Sequence, residues 1–536
     1  MKKILYSIIV ALSAVTFTSC NKDILDTNPT DHVASDDMFS NTDKGMVALN
    51  GTIRKFWAWG WSVTGNTHQA IGPLGYSLMA DLMGDDFVMA GAGSGWFWYD
   101  YLYDVKRRYS SSSWRCYDLW NYYYTIICNV NYIIAAKDTI EGTEEDINYL
   151  VGNAYALRAY CYAYAGMIFG RSYIGHEDRL CIPIYTEPTS ITTTGKARST
   201  NAQVFGLALD DINTAIRLLE GQEARHISHI GYSVACGIKS RIALYMGEYE
   251  EALDAATKAI DATSAKLTKD IFEGYNSTGA NVDTMWGAEV ITAQGTTNPQ
   301  FMTHMDPAYK GYGHRSRKCI SKYLYDKIAD TDARKGWWEY IDLSVAGAAQ
   351  NLSHGYQQKK FYFKDVKAPQ ATDQIFMRLP EMYLTKAECE ARLGQEPTAI
   401  ETLKAFMEYR DESYDCAKTG TELGVLTTDE TGSLLEEIIL QRRIELWGEF
   451  GRIYDIKRLR QGFLRTSEMG FQSQAFLTSL KTDDPESFDW VMAIPQTEID
   501  ANPLMVQNPI GSTATATEGD DPELNAQKAA IAENGE

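Results

Sequence analysis

Apolar residues recur every three or four positions through most of the chain, the spacing that places them on one face of an α-helix. One such face, within 203–219, is formed by Phe205, Leu209, Ile212, Ile216 and Leu219. The same period predicts helices over 117–137 and 147–169, both rich in aromatic residues and alanine. The sequence therefore predicts a mainly α-helical fold.

Two later segments, 240–260 and 386–406, predict helical hairpins of one form. In each, a helix reaches a glycine (Gly247 or Gly394) and a short polar turn, and a second helix then begins. Glycine permits the tight turn, and alanines on the second helix let the two helices approach closely. This spacing resembles that of tetratricopeptide repeats and predicts an α-solenoid scaffold built from helix pairs.

The helical pattern is interrupted in two regions, about 51–109 and 266–374. The first is rich in Gly and Trp, and the second mixes Gly, Asn, Thr, Tyr and Trp. Long, weakly periodic loops inside a folded protein are uncommon unless they carry a function. We therefore expect these regions to form a loop-rich, partly irregular ligand-binding face on the helical scaffold.

The most hydrophobic stretch lies at the start of the chain and ends just before Cys20. A basic start, an apolar middle and small residues at the end are typical of a secretory signal, and this stretch is too short to span a bilayer. A cysteine at the junction indicates a lipoprotein signal with Cys20 as the lipidated residue. The alternative is simple secretion, with cleavage near Ala14 and Cys20 an ordinary thiol.

This interpretation divides the chain into four parts. Residues 1–19 are the predicted lipoprotein signal peptide and 20–40 a lipidated extended leader. Residues 41–511 form the helical binding domain, and 512–536 are a mobile acidic tail.

The composition of the chain excludes some classes of partner and cofactor. The chain has 536 residues and a formal net charge of −21, which argues against nucleic acid or an anionic membrane surface as a partner. Eight cysteines remain after Cys20, without CxxC pairs or zinc-ligand spacing to histidine, so buried free thiols are favoured and no metal or cofactor is predicted. Aromatic residues make up 12% of the chain, with 33 Tyr and 12 Trp.

These aromatic residues are the main candidates for ligand binding. A Trp or Tyr ring stacks on the C–H face of a sugar while polar side chains bond its hydroxyl groups. The candidates in the two irregular regions are Trp96, Trp98, Tyr99, Trp286, Tyr309, Tyr312, Trp337 and Arg315. Because single Trp residues are mostly buried, packing beneath the loops is the alternative for each ring.

No catalytic motif is found. The charged block 442–458 places Glu445 and Glu449 one helical turn apart, and we interpret it as a structural ion-pair network. His226 and His229 share a spacing of three but lack a third metal ligand nearby. Carboxylates are abundant, so residue type alone does not exclude a glycosidase pair, but no motif supports one.

Several separated motifs agree in order with one protein family. They are Leu25-Asp26, Asp85-Asp86, Leu157-Arg158-Ala159-Tyr160, the segment 378–384 before Ala387-Glu388, the block 442–458, and Ile494-Pro495-Gln496. Together they resemble the SusD/RagB family of Bacteroidota outer-membrane lipoproteins, over almost the whole mature chain. The family usually opens the charged block with Glu where this chain has Gln441, which puts one local ion pair in doubt.

The resemblance implies a helical fold of four tetratricopeptide-like helix pairs that support a loop-rich ligand face. It also implies a non-enzymatic lipoprotein on the outside of the outer membrane that takes part in nutrient uptake. Such a protein binds oligosaccharides or polysaccharide and delivers them to a SusC-like TonB-dependent transporter. The alternative within the same architecture is an oligopeptide-binding protein, and a surface glycoside hydrolase is the less favoured rival.

Overall fold

The computed structural model describes residues 38–59, 65, 67–89, 96–103, 114–190, 192–272, 275–341 and 355–509. The predictions for the signal peptide, for Cys20, for most of the leader and for the tail fall outside these residues. The long helices are α1 (Thr42–Ile53), α2 (Pro73–Leu82), α4 (Trp114–Ala135), α5 (Glu144–Phe169), α6 (Asn201–Leu218), α7 (Tyr232–Met246), α8 (Tyr249–Ala262), α12 (Leu379–Arg392), α13 (Glu396–Met407), α14 (Leu434–Glu445) and α15 (Arg452–Leu459). The short ones are α3 (Trp98–Tyr101), α9 (Phe301–Met305), α10 (Tyr312–Arg315), α11 (Lys322–Asp326) and α16 (Gln496–Ala501).

The long helices pack in sequence order. Helix α4 packs on α5, α5 on α6, α6 on α7, α7 on α8, α8 on α12, and α12 on α13. This order confirms the prediction of a mainly helical fold with a scaffold of stacked helix pairs. The predicted helices over 117–137, 147–169 and 203–219 correspond to α4, α5 and α6.

The two predicted hairpins also form. Gly247 separates α7 from α8 with φ +81°, and Gly394 separates α12 from α13 with φ +75°. Both lie in the left-handed region, where glycine meets no Cβ penalty. Ala252, Ala255, Ala256 and Ala259 of α8 are buried, which allows the close packing of that helix.

Strands are short and occur mainly in the two irregular regions. A four-stranded antiparallel sheet has the order β1–β3–β5–β4, from β1 (Phe87–Met89), β3 (Lys318–Ile320), β4 (Trp338–Tyr340) and β5 (Tyr356–Gln358). Its register pairs Phe87 with Ile320 and Glu339 with Gln357. Strands β2 (Thr284–Ala288) and β6 (Gln374–Arg378) form a second, antiparallel pair. The four-stranded sheet ties the first irregular region to the second, because β1 pairs with β3.

One large hydrophobic core, from Leu49 to Met505, joins the scaffold to the irregular regions. All eight described cysteines are free thiols, and seven of them are buried, as predicted; Cys128 differs from the prediction because it is partly exposed. Among the described residues, no helix combines the length and apolar character needed to cross a bilayer.

Candidate ligand-binding site

Three partly exposed rings, of His68, Trp96 and Tyr312, meet at the surface between the two irregular regions. The His68 and Trp96 rings stack with 4.9 Å between centroids and 8° between planes. Tyr312 meets the Trp96 ring edge-on at 5.3 Å, and its hydroxyl shares a short hydrogen bond with Nδ1 of His68. We call these three residues the His68 cluster. They bring together two predicted site residues that lie 216 positions apart in the sequence.

The backbone at Phe97 orients Trp96. Phe97 has φ 72°, a left-handed conformation that costs a non-glycine residue about 1–2 kcal/mol. It is held there because the Phe97 N–H donates to Oε1 of Gln69 at 2.6 Å and the Arg115 guanidinium lies 5.1 Å from the Phe97 ring. Arg115 is itself held by a bidentate salt bridge to Asp100, with both hydrogen bonds at 2.8 Å. The turn buries Phe97 and leaves Trp96 at the surface.

A buried histidine supports the cluster from below. His304 Nε2 donates to the carbonyl of His68 at 2.6 Å, and its ring lies 4.9 Å from that of Tyr312. Burial, with the nearby Lys318 charge, holds the pKa of His304 well below its ordinary value. The imidazole is therefore neutral, with its proton on Nε2.

The remaining candidates near the cluster differ in exposure. Tyr309, three residues before Tyr312, packs its ring 4.5 Å from that of Phe363. Arg315 is exposed on the same helical turn as Tyr312. Tyr99 is 49% exposed on α3, whereas Trp98, beside it, is 7% exposed and packs against Tyr101.

Three predicted site residues, Trp98, Trp286 and Trp337, lie in the core, and the last two are the most deeply buried. Trp286 is 1% exposed, and its Nε1 donates to the carbonyl of Ser228 at 3.0 Å. Trp337 is 0% exposed, and its Nε1 donates to the carbonyl of Ile271 at 2.8 Å. Both indoles satisfy their polar atom internally, so they stabilise the irregular region from within and do not offer a face to a ligand.

Sequence reasoning missed His68, His304 and Gln69. None belongs to a motif, and each acts through contacts made by the fold. The available signal was weak: His68 is one of eight histidines in the chain and lies in the Trp-rich region.

The charged block 442–458 is a buried network, in agreement with its structural interpretation. Glu445 accepts hydrogen bonds from Arg410 at 2.9 Å and from Arg378 at 3.0 Å, and it pairs with Arg334 at 3.4 Å. Burial opposes its charge, but the arginines outweigh burial and hold the pKa of Glu445 well below its usual range. Gln441 takes the place of the family's Glu with an uncharged amide, which accepts a hydrogen bond from the Arg334 guanidinium and donates one to the Glu437 carboxylate.

The same network reaches the first third of the chain. Arg443 Nη2 lies 2.6 Å from Oδ1 of Asp86, and Arg452 Nε donates to Oδ1 of Asp85 at 3.0 Å. Burial raises the pKa of Asp85, but the charges of Arg452 and Arg443 lower it to about 2. The paired acidic motif is therefore the partner of the charged block.

The histidine pair has structural partners too. His229 contacts the Tyr149 hydroxyl at 3.0 Å and Oδ1 of Asn50 at 2.7 Å. Within the described part of the chain, no group of three His, Cys, Asp or Glu side chains is arranged to hold a metal ion.

Two family models match the chain. The model described as "SusD family" matches residues 281–510, and the one described as "Starch-binding associating with outer membrane" matches residues 82–244. The chain belongs to the SusD/RagB family. The two matched regions contain the charged block and the Asp85-Asp86 motif, respectively, which meet in the structure.

Similar proteins agree with this assignment. A SusD-like protein of Formosa agariphila is 23% identical over 382 residues, covering 63% of this chain and 71% of the relative. A solved structure of a SusD-like carbohydrate-binding protein from Bacteroides vulgatus is 25% identical, with a TM-score of 0.73 over 87% of this chain and 97% of that one. Surface glycan-binding protein A of Bacteroides thetaiotaomicron, solved with laminarihexaose, shares the fold at 17% identity, with a TM-score of 0.66 over 87% of this chain and 99% of that one.

Proposed function

We propose that this SusD/RagB protein binds a neutral oligosaccharide or polysaccharide at the His68 cluster, without altering it, for delivery to a TonB-dependent transporter. The observation that carries the proposal is the meeting of three partly exposed rings on one surface, held in place from beneath. Rigid rings provide contact area at little cost in conformational entropy.

The polar groups around the rings suit hydroxyl groups. Arg315 is exposed one helical turn from Tyr312, and the Tyr312 hydroxyl and the His68 ring add groups that accept or donate hydrogen bonds. A sugar ring that stacks on Trp96 would find these groups at its edge.

Two carboxylates close to the cluster in the sequence already have structural partners. Asp100 is paired with Arg115. Asp306 accepts from the backbone N–H groups of Ala308, at 2.8 Å, and Phe363, at 2.9 Å. A glycosidase needs one carboxyl group free to give a proton and another free to attack or to activate water. These contacts favour binding over hydrolysis.

The proposed cellular location of the protein rests on its family and on its N-terminal sequence. One matching family is described as associating with the outer membrane. We propose that lipidation of Cys20 anchors the chain there, facing the cell exterior, with the helical scaffold against the transporter.

The test is native affinity electrophoresis of the mature chain in gels cast with starch, laminarin, xylan or galactomannan. We expect at least one polysaccharide to retard the wild type, and Trp96→Ala or Tyr312→Ala to weaken that binding about tenfold. Tyr340→Ala is the matched control, since it also removes a solvent-exposed tyrosine ring, one that is 65% exposed and meets another tyrosine of the sheet edge-on.

Three results would contradict the proposal. Unchanged retardation of both cluster variants would place the site elsewhere. Absence of retardation, combined with calorimetric binding of short oligopeptides, would favour the peptide-binding alternative. Release of reducing sugar by the purified chain would show that it is an enzyme.

A further inference from the structure

A second cleft lies away from the His68 cluster, between α4, the segment 183–195 and α16. Its volume is about 470 Å³, within the range of about 300–1,000 Å³ typical of small-ligand sites. Its aromatic lining residues are Tyr117, Trp120, Tyr124 and Tyr185. No residue of the His68 cluster contributes to it.

The walls of this cleft are fixed by buried polar contacts. The Tyr124 hydroxyl donates to the carbonyl of Pro183 at 2.6 Å. The Asn131 amide donates to the carbonyls of Tyr185, at 2.9 Å, and Glu187, at 3.1 Å. Asn131 is itself held by Arg158 at 2.8 Å. Residues 183–187 are therefore tied to the scaffold, which fixes this wall of the cleft.

On the opposite edge of the cleft, Gly195 allows the end of α16 to pack closely. Asn502 donates to the carbonyl of Lys196 at 2.9 Å, which brings the end of α16 against Gly195. A Cβ on Gly195 would lie 2.4 Å from the Asn502 side chain, so only glycine allows this approach. The aromatic floor is rigid as well, since the Trp120 and Tyr124 rings lie 4.8 Å apart.

The lining favours an uncharged, hydroxyl-bearing ligand. The side chains of Asn121, Thr194 and Thr497 line the cleft and make no hydrogen bond to another described residue. Glu498 supplies a carboxylate, and none of the described lining residues is Lys or Arg. The Lys196 ammonium lies over the Tyr185 ring at 5.4 Å but is not part of the lining. Within the lining, an anion would meet the carboxylate without a cation beside it, and an aliphatic chain would leave the amide and hydroxyl groups without partners.

We propose that this cleft is a second carbohydrate-binding site, for neutral sugar residues, distinct from the His68 cluster. The inference rests on the proposed function only for the class of ligand. Two sites on one rigid body let a long polysaccharide bind at both, so that affinity for the polymer exceeds that for a short fragment.

The test uses one variant that fills the cleft and one that does not. Ala501→Arg adds a long cationic side chain at an exposed lining position of α16. Gln496→Arg, on the same helix but outside the lining, is the control with the same change in charge. Equal thermal unfolding midpoints for the two variants and the wild type would establish that both fold.

Two measurements are made on the full mature chain. In gels cast with starch, laminarin, xylan or galactomannan, we expect Ala501→Arg and Trp96→Ala each to weaken binding to the retarding polysaccharide about tenfold, and their combination to abolish it. Calorimetry with the matching hexasaccharide should give two sites per chain for the wild type and for Gln496→Arg. It should give one site for Ala501→Arg.

The outcomes separate the two sites. A wild-type stoichiometry of one that Ala501→Arg leaves unchanged would overturn the second site. Loss of binding in Ala501→Arg with none in Trp96→Ala would support the cleft and contradict the proposal for the His68 cluster. If Ala501→Arg instead weakened co-purification with the transporter and left sugar binding unchanged, the cleft would be a protein contact and the inference would be wrong. If no polysaccharide retarded the wild type, both proposals would fail.

Discussion

The His68 cluster and the network around Glu445 are both dense groups of polar and aromatic side chains, but they face opposite environments. The rings of the cluster keep part of their surface in solvent, while Glu445 and the arginines around it are fully buried. In the cluster, polar atoms remain within reach of a ligand. In the network, each charge is neutralised by another charge of the same chain. A dense group of polar and aromatic side chains therefore does not by itself indicate a ligand-binding site. The side chains must also be accessible from solvent.

One of the two largest effects on stability should come from removing the central charge of the network. Glu445→Gln leaves Arg334, Arg378 and Arg410 with one carboxylate fewer, so we expect a loss of about 3–5 kcal/mol in the free energy of unfolding. Urea denaturation measures it. Glu412→Gln, which breaks an exposed pair with Lys269, is the control and should leave the midpoint unchanged. Equal effects of the two variants would contradict a buried structural role for Glu445.

The two tryptophan environments can be separated next. Trp286→Ala opens a cavity in the core, and we expect a loss of about 3–5 kcal/mol in unfolding free energy. Trp96→Ala should cost only about 1 kcal/mol, because its ring is partly exposed, yet it should weaken polysaccharide binding about tenfold. Urea denaturation and affinity gels, run on the same samples, measure both. A Trp96→Ala protein as unstable as Trp286→Ala would show that Trp96 is a core residue.

Acid should weaken the contact between Asp85 and the charged block. The pKa of Asp85 is lowered to about 2 in the folded protein, against 3.8 for an ordinary Asp, so its ionised form favours folding. Its contribution of about 2 kcal/mol is complete above about pH 4 and is lost as the pH falls towards 2. We therefore expect Asp85→Asn to be less stable than the wild type at pH 6, with the difference shrinking by pH 2. Urea midpoints of both proteins across this pH range measure the difference in their stability. A difference that stays constant with pH would contradict a stabilising role for the ionised form of Asp85.

The smallest effect should come from a single hydroxyl group. Tyr312→Phe keeps the ring beside Trp96 but removes the hydrogen bond to His68. We expect a cost of about 1 kcal/mol, or roughly fivefold in binding at most. Tyr312→Ala should cost more, because it also removes the ring. Affinity gels at several polysaccharide concentrations rank the two variants, and an equal loss would mean that the ring contributes nothing to binding.

The helical part of the fold could be predicted from the sequence because its signals are local. The period of α6 and the glycines at 247 and 394 each act within a few residues of their own position. The order of helix packing follows from the same repeats. Local signals therefore sufficed for the scaffold.

The site could be predicted only in part. Trp96 follows a glycine and Trp286 precedes one, so their sequence surroundings look alike, yet one ring reaches the surface and the other lies in the core. What separates them is the left-handed turn at Phe97 and the contacts of Gln69 and Arg115, which depend on distant residues. Non-local packing decides which aromatic ring meets solvent, and periodicity carries no information about it.

The contact between Asp86 and Arg443 spans 357 positions of the chain. Until the polypeptide has been made as far as Arg452, the two acids of the first third lack one or both of these guanidinium partners, and burying either acid alone is costly. We therefore expect the irregular region that contains Trp96 to fold late, after the helical repeats have formed from local contacts. This contact joins the two ends of the folded domain, and a product truncated before residue 443 would keep only the helices that precede α14 and would lack a finished binding face.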